Sequence, residues 1–187
     1  MMVRVELLTT RVTSLEMTLE TYGTREPVPA KGQDMRVFEV PRIPLMRYRE
    51  LYSAVGAAHH WTSRLVSDKS LADEIHSPRT RIYLSQIEHE TVGWFEIEIK
   101  RNVRQARIVH FGILGPFRGK GLAGPLLEAA IAAGFDEKPE RLTIETNTLD
   151  HPAAFALYRK HGFTSYATRE VKTPTYDSFL KAQLAAD

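Results

Sequence analysis

Residues 111–131, FGILGPFRGKGLAGPLLEAAI, pass from a short apolar run through a glycine-rich stretch into a helical pattern. Leu122, Leu126 and Ile131 share one face of that helix, which is expected to end near Gly134. A strand that leads through glycines into a helix collects unpaired backbone N–H groups at the positive end of the helix dipole. The segment therefore predicts an anion site suited to phosphate.

Two general phosphate-binding motifs compete for these glycines. A P-loop needs four residues between its glycines and then Lys-Ser/Thr, whereas GPFRGKG has three and places Gly121 after Lys120. The dinucleotide fingerprint G-x-G-x-x-G does match at Gly119, Gly121 and Gly124, with Glu145 near the spacing of its acidic residue. However, GPFR separates the strand from the first glycine, and the remaining chain is short for the further βαβ units of such a domain. A nicotinamide-dependent oxidoreductase stays open as an alternative.

The second half of the chain predicts a mixed α/β sheet. TRIYLSQI, TVGWFEIEIK and ARIVHFGIL are separated only by EHE and RNVRQ, which predicts an antiparallel meander. RLTIETN and FTSYATREV predict two more strands. Between them, DHPAAFALYRKHG predicts a helix with Pro152 in its first turn and Gly162 just past its end. This order implies a central parallel strand pair joined by the helix that follows the glycines.

The first third predicts shorter elements. The runs VRVELL and SLEMTLE predict one strand with an apolar and a polar face, and MRVFEV predicts a short strand after the loop YGTREPVPAKGQD. Residues 45–66 have helical spacing weakened by Gly56, which predicts two helices or one kinked helix. Ser70 is the expected cap of a further short helix. The tail YDSFLKAQLAAD is either a terminal helix or disordered.

The composition excludes several classes of function. The 25 basic and 23 acidic residues give a net charge of +2, a balance too even for a nucleic-acid partner. The absence of cysteine excludes a disulfide scaffold, a thiolate zinc site and a cysteine nucleophile. No stretch approaches the roughly 18 apolar residues that span a bilayer, and the start lacks a signal-peptide pattern. We therefore expect no membrane partner and a cytoplasmic location.

Two motifs carry a resemblance to a known family. Residues 118–123, RGKGLA, fit the Q/R-x-x-G-x-G/A pyrophosphate loop of the GNAT superfamily of acyl-CoA-dependent N-acyltransferases. About thirty residues later, AAFALYRKHGF is similar to the family's A-x-x-L-Y-x-K-x-G-F signature, at Ala154, Leu157, Tyr158, Lys160, Gly162 and Phe163. The resemblance covers residues 80–168, and the N-terminal third resembles only bacterial members of the superfamily.

The resemblance implies a fold and a domain organisation. The fold is a single-domain GNAT fold, α/β, with a mixed and mostly antiparallel sheet that has a central splayed parallel strand pair flanked by helices. The whole chain, 1–187, would form that domain. Its parts would be N-terminal strands and acceptor-side helices in 1–79, the acyl-CoA-binding core in 80–170, and a C-terminal tail in 171–187.

The resemblance also implies acetyl-CoA as co-substrate and assigns its contacts. The pantetheine arm would pair as an extra strand with the backbone of the strand before the loop, mainly at Ile113 and Leu114. The pyrophosphate would lie on residues 118–124. His151 stands where the family often has a contacting Asn, which leaves Asn147 for that contact. The expected set is Phe111, Ile113, Leu114, Arg118, Gly119, Lys120, Gly121, Leu122, Ala123, Gly124 and Asn147.

Transfer to an amine needs a base, an oxyanion donor and an acid for the leaving thiolate. The resemblance points to Tyr158 as the acid, against the alternative of a tyrosine that only packs helix on sheet. A backbone N–H at Ile113 or Leu114 would stabilise the oxyanion. The expected catalytic set is Tyr158, Glu96 and His110.

The identity of the base stays open at this point. Glu96 and Glu98 share a strand face that solvent could equally cover. His110 lies on the strand expected to hold the arm and could relay a proton or be a structural histidine, and Glu145 is a further candidate.

The acceptor side is the least defined. Tyr52, His60 and Trp61 are candidates to line the amine pocket, and Glu16 is a weaker one. His59 and His60 are expected not to bind a metal, because neighbouring residues on a helix point in different directions.

The sequence thus predicts an N-acetyltransferase that moves an acetyl group from acetyl-CoA to a primary amine by direct attack in a ternary complex. The acceptor would be a small molecule or a peptide. The alternative from a different class is an acyl-CoA-binding sensor or interaction module without turnover. Members of the family commonly dimerise, so a homodimer is a further expected partner.

Overall fold

A seven-stranded mixed sheet organises the part of the chain that the computed structural model describes, residues 4–29 and 34–185. The strands are β1 (Leu7–Thr18), β2 (Arg36–Glu39), β3 (Thr80–Ile87), β4 (Glu90–Lys100), β5 (Gln105–Ile113), β6 (Arg141–Asn147) and β7 (Thr164–Pro174). They lie in the order β2-β3-β4-β5-β6-β1-β7, in which β5 and β6 are parallel and the other neighbours antiparallel. The predicted fold class and the predicted meander are confirmed.

Helices cover both faces of this sheet. They are α1 (Leu19–Thr24), α2 (Leu45–Gly56), α3 (Asp68–Ile75), α4 (Ala123–Phe135), α5 (Ala154–Lys160) and α6 (Tyr176–Leu184). One core lies between α4 and the sheet, where Leu126, Leu127 and Ile131 are fully buried. A second core lies under α2 and α3, where Tyr48, Leu51 and Tyr52 are buried against Trp94. Among the described residues, no helix combines the length and the apolar character that crossing a bilayer would require.

The parallel pair splays apart halfway along its length. Its paired residues run from Gln105 opposite Arg141 to Ile108 opposite Ile144, whereas β5 stays paired with β4 as far as Ile113. Beyond Ile108, the edge of β5 that faces β6 is therefore left without a neighbouring strand. This is the splayed pair that the family resemblance implies.

A β-bulge decides which way the end of β5 faces. The register of β4 and β5 shifts after Glu96, which faces His110, so that Ile97 faces Ile108 and Val109 has no partner. The extra residue reverses the alternation of side chains along β5. Ile108 packs in the α4 core, while His110 lies on the opposite face against Tyr52.

Some predicted elements differ in their limits. The helical pattern predicted to reach residue 66 is α-helical only to Gly56 and ends after a 3₁₀ turn at Ala57–His59. The Trp61 N–H bonds back to the Gly56 carbonyl at 3.0 Å, and the Trp61 ring covers that glycine. His60 then has φ 56°, in the left-handed region, so residues 60–67 form an irregular segment instead of a second helix.

Other corrections concern helix ends. The cap of α3 is Ser67, three residues before the predicted Ser70, and its hydroxyl accepts the Ser70 N–H. Pro152 precedes α5 instead of lying in its first turn. The tail forms α6, as one of the two predicted alternatives had it. The start of the VRVELL run, part of the loop YGTREPVPAKGQD and the last two residues of the tail lie outside the described residues.

Candidate active site

A cavity of about 570 Å³ opens where β5 and β6 diverge. Its walls are the end of β5, the glycine loop, the start of α5 and the segment around residues 59–63. Most of the predicted site residues line it: His110, Phe111, Ile113, Arg118, Gly119, Gly121, Leu122, Ala123, Asn147 and Tyr158. The structure thus brings the two family motifs and the bulged end of β5 to one opening.

The glycine loop offers free backbone amides to this cavity. Gly119 and Gly121 both have φ 76°, a conformation that residues with a side chain adopt at a cost. The Arg118 N–H bonds to the Gly115 carbonyl, and the next backbone N–H to bond within this described stretch is that of Leu126, to Leu122. The amides between them point at no backbone acceptor and lie at the N-terminus of α4, as an anion requires.

These two glycines are required by conformation and not by crowding. A Cβ added at Gly119 or Gly121 would meet no atom within 4 Å, whereas one at Gly124 would lie 3.5 Å from the His161 ring. Lys120 points its ammonium at the Phe117 ring, with 5.0 Å between the nitrogen and the ring centroid. The loop is exposed over residues 118–121, so a bound anion would reach it from solvent.

The open edge of β5 presents alternate residues. The Leu114 N–H donates to the Val92 carbonyl of β4 at 2.9 Å, so that amide is already taken. Because hydrogen-bonded and non-bonded pairs alternate in an antiparallel ladder, the amides of Phe111 and Ile113 point away from β4 into the opening. The Ile113 carbonyl on that side accepts a bond of 3.2 Å from the Arg118 side chain. Phe111 and Ile113, and not Leu114, are therefore the residues with amides available to a ligand.

Glu96 is buried at the centre of a polar cluster. Its carboxylate accepts hydrogen bonds from the Tyr48 hydroxyl at 2.6 Å, from the Arg64 guanidinium at 2.5 Å and from His110 Nδ1 at 3.0 Å. Burial alone raises the pKa of this carboxyl, but His110, Arg64 and Tyr48 together lower it to about 2. Glu96 is therefore ionised at neutral pH and holds the orientation of the imidazole.

His110 is the member of this cluster that lines the cavity. Its ring is 7% exposed and stands edge-on to Tyr52, with 5.1 Å between the ring centroids. Since the ionised Glu96 can only accept, the proton that joins the two residues lies on His110 Nδ1. The other ring nitrogen, Nε2, faces the Ser63 hydroxyl at 3.5 Å and carries the lone pair when the imidazole is neutral.

Tyr158 is positioned by the way in which α5 ends. Gly162, with φ 97°, ends the helix, and the N–H groups of Phe163 and Gly162 bond to the carbonyls of Tyr158 and Arg159. This is a Schellman motif, and it packs the Phe163 ring against the Tyr158 ring. Burial, and to a smaller extent Asp150, raise the pKa of the Tyr158 phenol, which therefore stays protonated. The glycine and phenylalanine of the signature thus fix the tyrosine beside Phe111.

Two other candidate bases have different partners. Glu98 lies on the same face of β4 as Glu96 and pairs with Lys100 at 3.3 Å. Glu145 accepts hydrogen bonds from Ser14, Arg107 and Arg169; burial raises its pKa, but these partners lower it overall. Asn147 lines the cavity while its side-chain oxygen accepts the Leu149 N–H at 2.8 Å.

The candidate acceptor side is built by the irregular segment after α2. Trp61 lines the cavity, and its indole N–H donates to Asp150 at 3.3 Å, while His59 bonds to the Leu149 carbonyl. These bonds fasten the segment to the loop between β6 and α5.

Three of the four candidate acceptor residues are not among the residues that line the cavity: Tyr52, His60 and Glu16. Tyr52 packs against His110. His60 Nδ1 instead accepts the Tyr176 N–H, and Glu16 pairs with Arg141. Within the described residues, no cluster of side chains has the composition of a metal site.

Sequence reasoning missed three members of the cluster: Tyr48, Ser63 and Arg64. Tyr48 and Tyr52 are spaced by four residues, so one helix face presents both, but this spacing is equally typical of a packed core. Ser63 and Arg64 lie in a segment that was predicted to be helical, and no local pattern marks them.

The acetyltransferase (GNAT) domain family matches residues 48–173, about two thirds of the chain. The chain belongs to the GNAT family. No curated protein matches it in sequence.

Solved structures that are similar to this GNAT protein share its fold at low identity. A functionally unknown conserved protein from Staphylococcus epidermidis has a TM-score of 0.65 and 11% identity, over 90% of this chain and 63% of its own. A GCN5-related N-acetyltransferase from Kribbella flavida has a TM-score of 0.60 and 15% identity, over 91% and 59%. An aminoglycoside acetyltransferase from an uncultured soil metagenomic sample has a TM-score of 0.56 and 13% identity, over 68% and 87%. The chain therefore spans less than two thirds of the first two proteins.

The fold of this GNAT protein also decides against a dinucleotide-binding domain. Such a domain is built from repeated βαβ units with a mostly parallel sheet. Among the described strands, β5 and β6 form the one parallel pair. Two of the three glycines that match the dinucleotide fingerprint, Gly119 and Gly121, are explained by the positive φ angles of the loop.

Proposed function

We propose that this GNAT protein transfers an acetyl group from acetyl-CoA to a primary amine by direct attack in a ternary complex. The observation that carries the proposal is that one cavity joins three features: a loop of free amides, an open strand edge and an imidazole held by a buried carboxylate. Acetyl-CoA needs the first two, and the amine needs the third. Membership of the acetyltransferase family supports the transfer itself.

The co-substrate would lie along the wall made by β5 and the glycine loop. Its pyrophosphate would accept hydrogen bonds from the amides of residues 119–124 at the start of α4. Its pantetheine arm carries amides that can pair with the outward-facing amides of Phe111 and Ile113 as another strand would. With the arm running from the glycine loop along β5, the thioester would lie between β5 and Tyr158, because Tyr158 packs on the Phe111 ring.

His110 would act as the base. An amine must lose a proton before it attacks the thioester carbon, and His110 Nε2 has the free lone pair to take that proton. Glu96 is a poor base because of its low pKa, so we assign it the positioning of the imidazole and the stabilisation of its charged form. This pairing of an imidazole with a buried carboxylate is the arrangement that orients a catalytic histidine.

The other two charges of the reaction have donors nearby. The oxyanion that forms on the thioester carbonyl would accept a hydrogen bond from the amide of Phe111 or Ile113. The leaving thiolate would take a proton from Tyr158, whose raised pKa keeps that proton available. The acceptor amine would enter past Trp61, opposite the wall that holds the arm.

Calorimetric titration of acetyl-CoA into three proteins tests the binding step. Gly121→Asp adds a carboxylate where the pyrophosphate would lie, and Gly121→Asn adds a side chain of the same size without the charge. Both residues tolerate positive φ better than others do. We expect wild type to bind, Asn to weaken binding moderately and Asp to weaken it by a further tenfold or more, on the order of 1.4 kcal/mol. If the two variants bind acetyl-CoA with equal affinity, the proposal that its pyrophosphate binds to this loop is wrong.

A screen of amines tests turnover. Free thiol release from acetyl-CoA is followed with polyamines, amino acids, peptides and aminoglycosides, the last because a protein of similar fold has that activity. Amine-dependent thiol release that His110→Gln lowers by about 100-fold or more would support the assignment of the base. Tight binding of acetyl-CoA without thiol release for any amine would instead indicate a sensor.

A further inference from the structure

Ser63 lies within a continuous chain of hydrogen bonds that leads to the buried carboxylate of Glu96. The Arg64 N–H donates to the Tyr52 hydroxyl at 3.2 Å, and that hydroxyl lies 3.3 Å from the Ser63 hydroxyl. Ser63 Oγ lies 3.5 Å from His110 Nε2, and His110 Nδ1 lies 3.0 Å from Glu96.

The direction of each bond follows from its two ends. Glu96 is ionised and can only accept, so His110 donates to it through Nδ1, and in the neutral imidazole the lone pair is then on Nε2. At the other end, the Tyr52 oxygen accepts the Arg64 backbone N–H, and the arrangement that the proposal uses has the Tyr52 proton in the hydrogen bond to Ser63. The Ser63 proton is then left to point at His110 Nε2. This is the hydrogen bond that activates a serine as a nucleophile.

The exposure of Ser63, His110 and Glu96 also fits the roles of a nucleophile, a base and a carboxylate that orients the base. Ser63 is exposed and lines the cavity, whereas His110 is 7% exposed and Glu96 is fully buried. The two buried members cannot move without breaking the bonds of Glu96 to Tyr48 and Arg64. The hydroxyl at the open end therefore shares one space with any thioester that lies along β5.

We propose that Ser63 is a second acyl acceptor, so that the protein hydrolyses acetyl-CoA through an acetyl-serine when no amine occupies the cavity. The use of acetyl-CoA as the donor rests on the function proposed above, whereas the reactivity of Ser63 does not. The ligand class is an acetyl thioester or another activated acetyl ester.

Each step of this reaction balances. The Ser63 proton passes to His110 Nε2 as the Oγ–carbon bond forms, and the carbon–sulfur bond breaks with its electron pair on sulfur. The thiolate leaves as a thiol with the proton from His110. In the second half, His110 takes a proton from water as the bond between the water oxygen and the carbonyl carbon forms. His110 returns that proton to Ser63 Oγ as the ester bond breaks, which gives the free serine and acetic acid, ionised to acetate at neutral pH.

The experiment uses p-nitrophenyl acetate, a small activated ester that needs no pyrophosphate site, with wild type, Ser63→Ala and Ser70→Ala. Ser70 is the matched control, because it is an exposed serine on α3 outside the cavity. Wild type and Ser70→Ala should release p-nitrophenolate and gain the mass of one acetyl group, found by peptide mass spectrometry on Ser63. Ser63→Ala should lose both signals, with a rate lower by about 100-fold. Equal rates for wild type and Ser63→Ala, or an acetyl group on another residue, would overturn the proposal.

The same proteins are then given acetyl-CoA without an amine, which separates the two proposals. Acetylation of Ser63 by the ester but not by acetyl-CoA would uphold its reactivity and count against the proposed co-substrate. A third outcome would refute only the role of Ser63 and leave the proposed function standing. In that outcome, neither donor acetylates Ser63 of the wild type, and Ser63→Ala acetylates amines at the same rate as the wild type.

Discussion

Replacing Glu96 with glutamine should destabilise the protein in a way that depends on pH. The carboxylate is buried and accepts three hydrogen bonds, two of them from Tyr48 and Arg64. An amide of the same shape keeps the packing but loses the charge, and its NH₂ group faces donors. Arg64 is then left with only the carboxylate of Glu74 as an ionic partner among the described residues. Losing one member of a buried ion pair is costly because the other stays desolvated.

The size of the effect follows from the pKa of Glu96. Its shift from an ordinary 4.5 to about 2 favours the charged form in the folded protein by roughly 3 kcal/mol. Because the folded pKa is the lower one, this stabilisation is complete above about pH 5 and is lost as the pH falls toward about 2. At about pH 4, the difference between wild type and Glu96→Gln should already be smaller by roughly 1 kcal/mol.

Urea denaturation at about pH 7 and about pH 4 measures this difference as a change in the free energy of unfolding. Glu98→Gln is the matched control, because Glu98 lies on the same strand face but is partly exposed and pairs only with Lys100. We expect the control to stay within about 0.5 kcal/mol of wild type at both pH values. If Glu96→Gln matches wild type at neutral pH, or if its deficit grows in acid, the reasoning about the ionised carboxylate is wrong.

Three further substitutions test single features of the structure. Tyr158→Phe should lower amine-dependent turnover by about 100-fold, whereas the unfolding free energy should change by less than about 1 kcal/mol, because only the phenol oxygen is removed. An unchanged turnover rate would exclude Tyr158 as the acid that protonates the leaving thiolate. Tyr48→Phe should lower the free energy of unfolding by about 1–3 kcal/mol, because Glu96 loses its hydrogen bond from a buried phenol. An unchanged thermal unfolding would contradict the claim that Tyr48 stabilises the buried carboxylate. Gly162→Ala should cost about 1–2 kcal/mol because of its φ of 97°, whereas Gly23→Ala in α1, where an added Cβ meets nothing, should be neutral or stabilising. Equal melting temperatures for the two glycine variants would refute the Schellman argument.

Local rules explain what could be predicted from the sequence. The glycines at 119, 121 and 162 have positive φ angles, which sequence motifs record directly. The meander, α4 and the last strands follow from hydrophobic periodicity and short connections, which depend on neighbouring residues alone. The open edge of β5 was implied by the resemblance, and it was found where the pairing with β6 stops after Ile108.

The parts that could not be predicted depend on register and on contacts between distant residues. Strict alternation from Ile108 would have placed His110 in the α4 core, and only the bulge at Val109 turns it toward Glu96. Arg64 reaches Glu96 from an irregular segment that begins because Trp61 packs on Gly56. Neither event leaves a pattern in the sequence, so the sequence alone offered Glu96 as a base, whereas its surroundings support the positioning role that we propose for it.

Amide hydrogen exchange, resolved by residue and measured with and without acetyl-CoA, tests the central claim most directly. In the free protein, the amides of Phe111 and Ile113 should exchange quickly because they face the open edge, and the Leu114 amide should be slow because it bonds to Val92. Acetyl-CoA should slow Phe111, Ile113 and the amides of the glycine loop and leave Leu114 unchanged. Binding of acetyl-CoA that leaves the exchange of Phe111 and Ile113 unaltered would contradict the placement of the arm on β5.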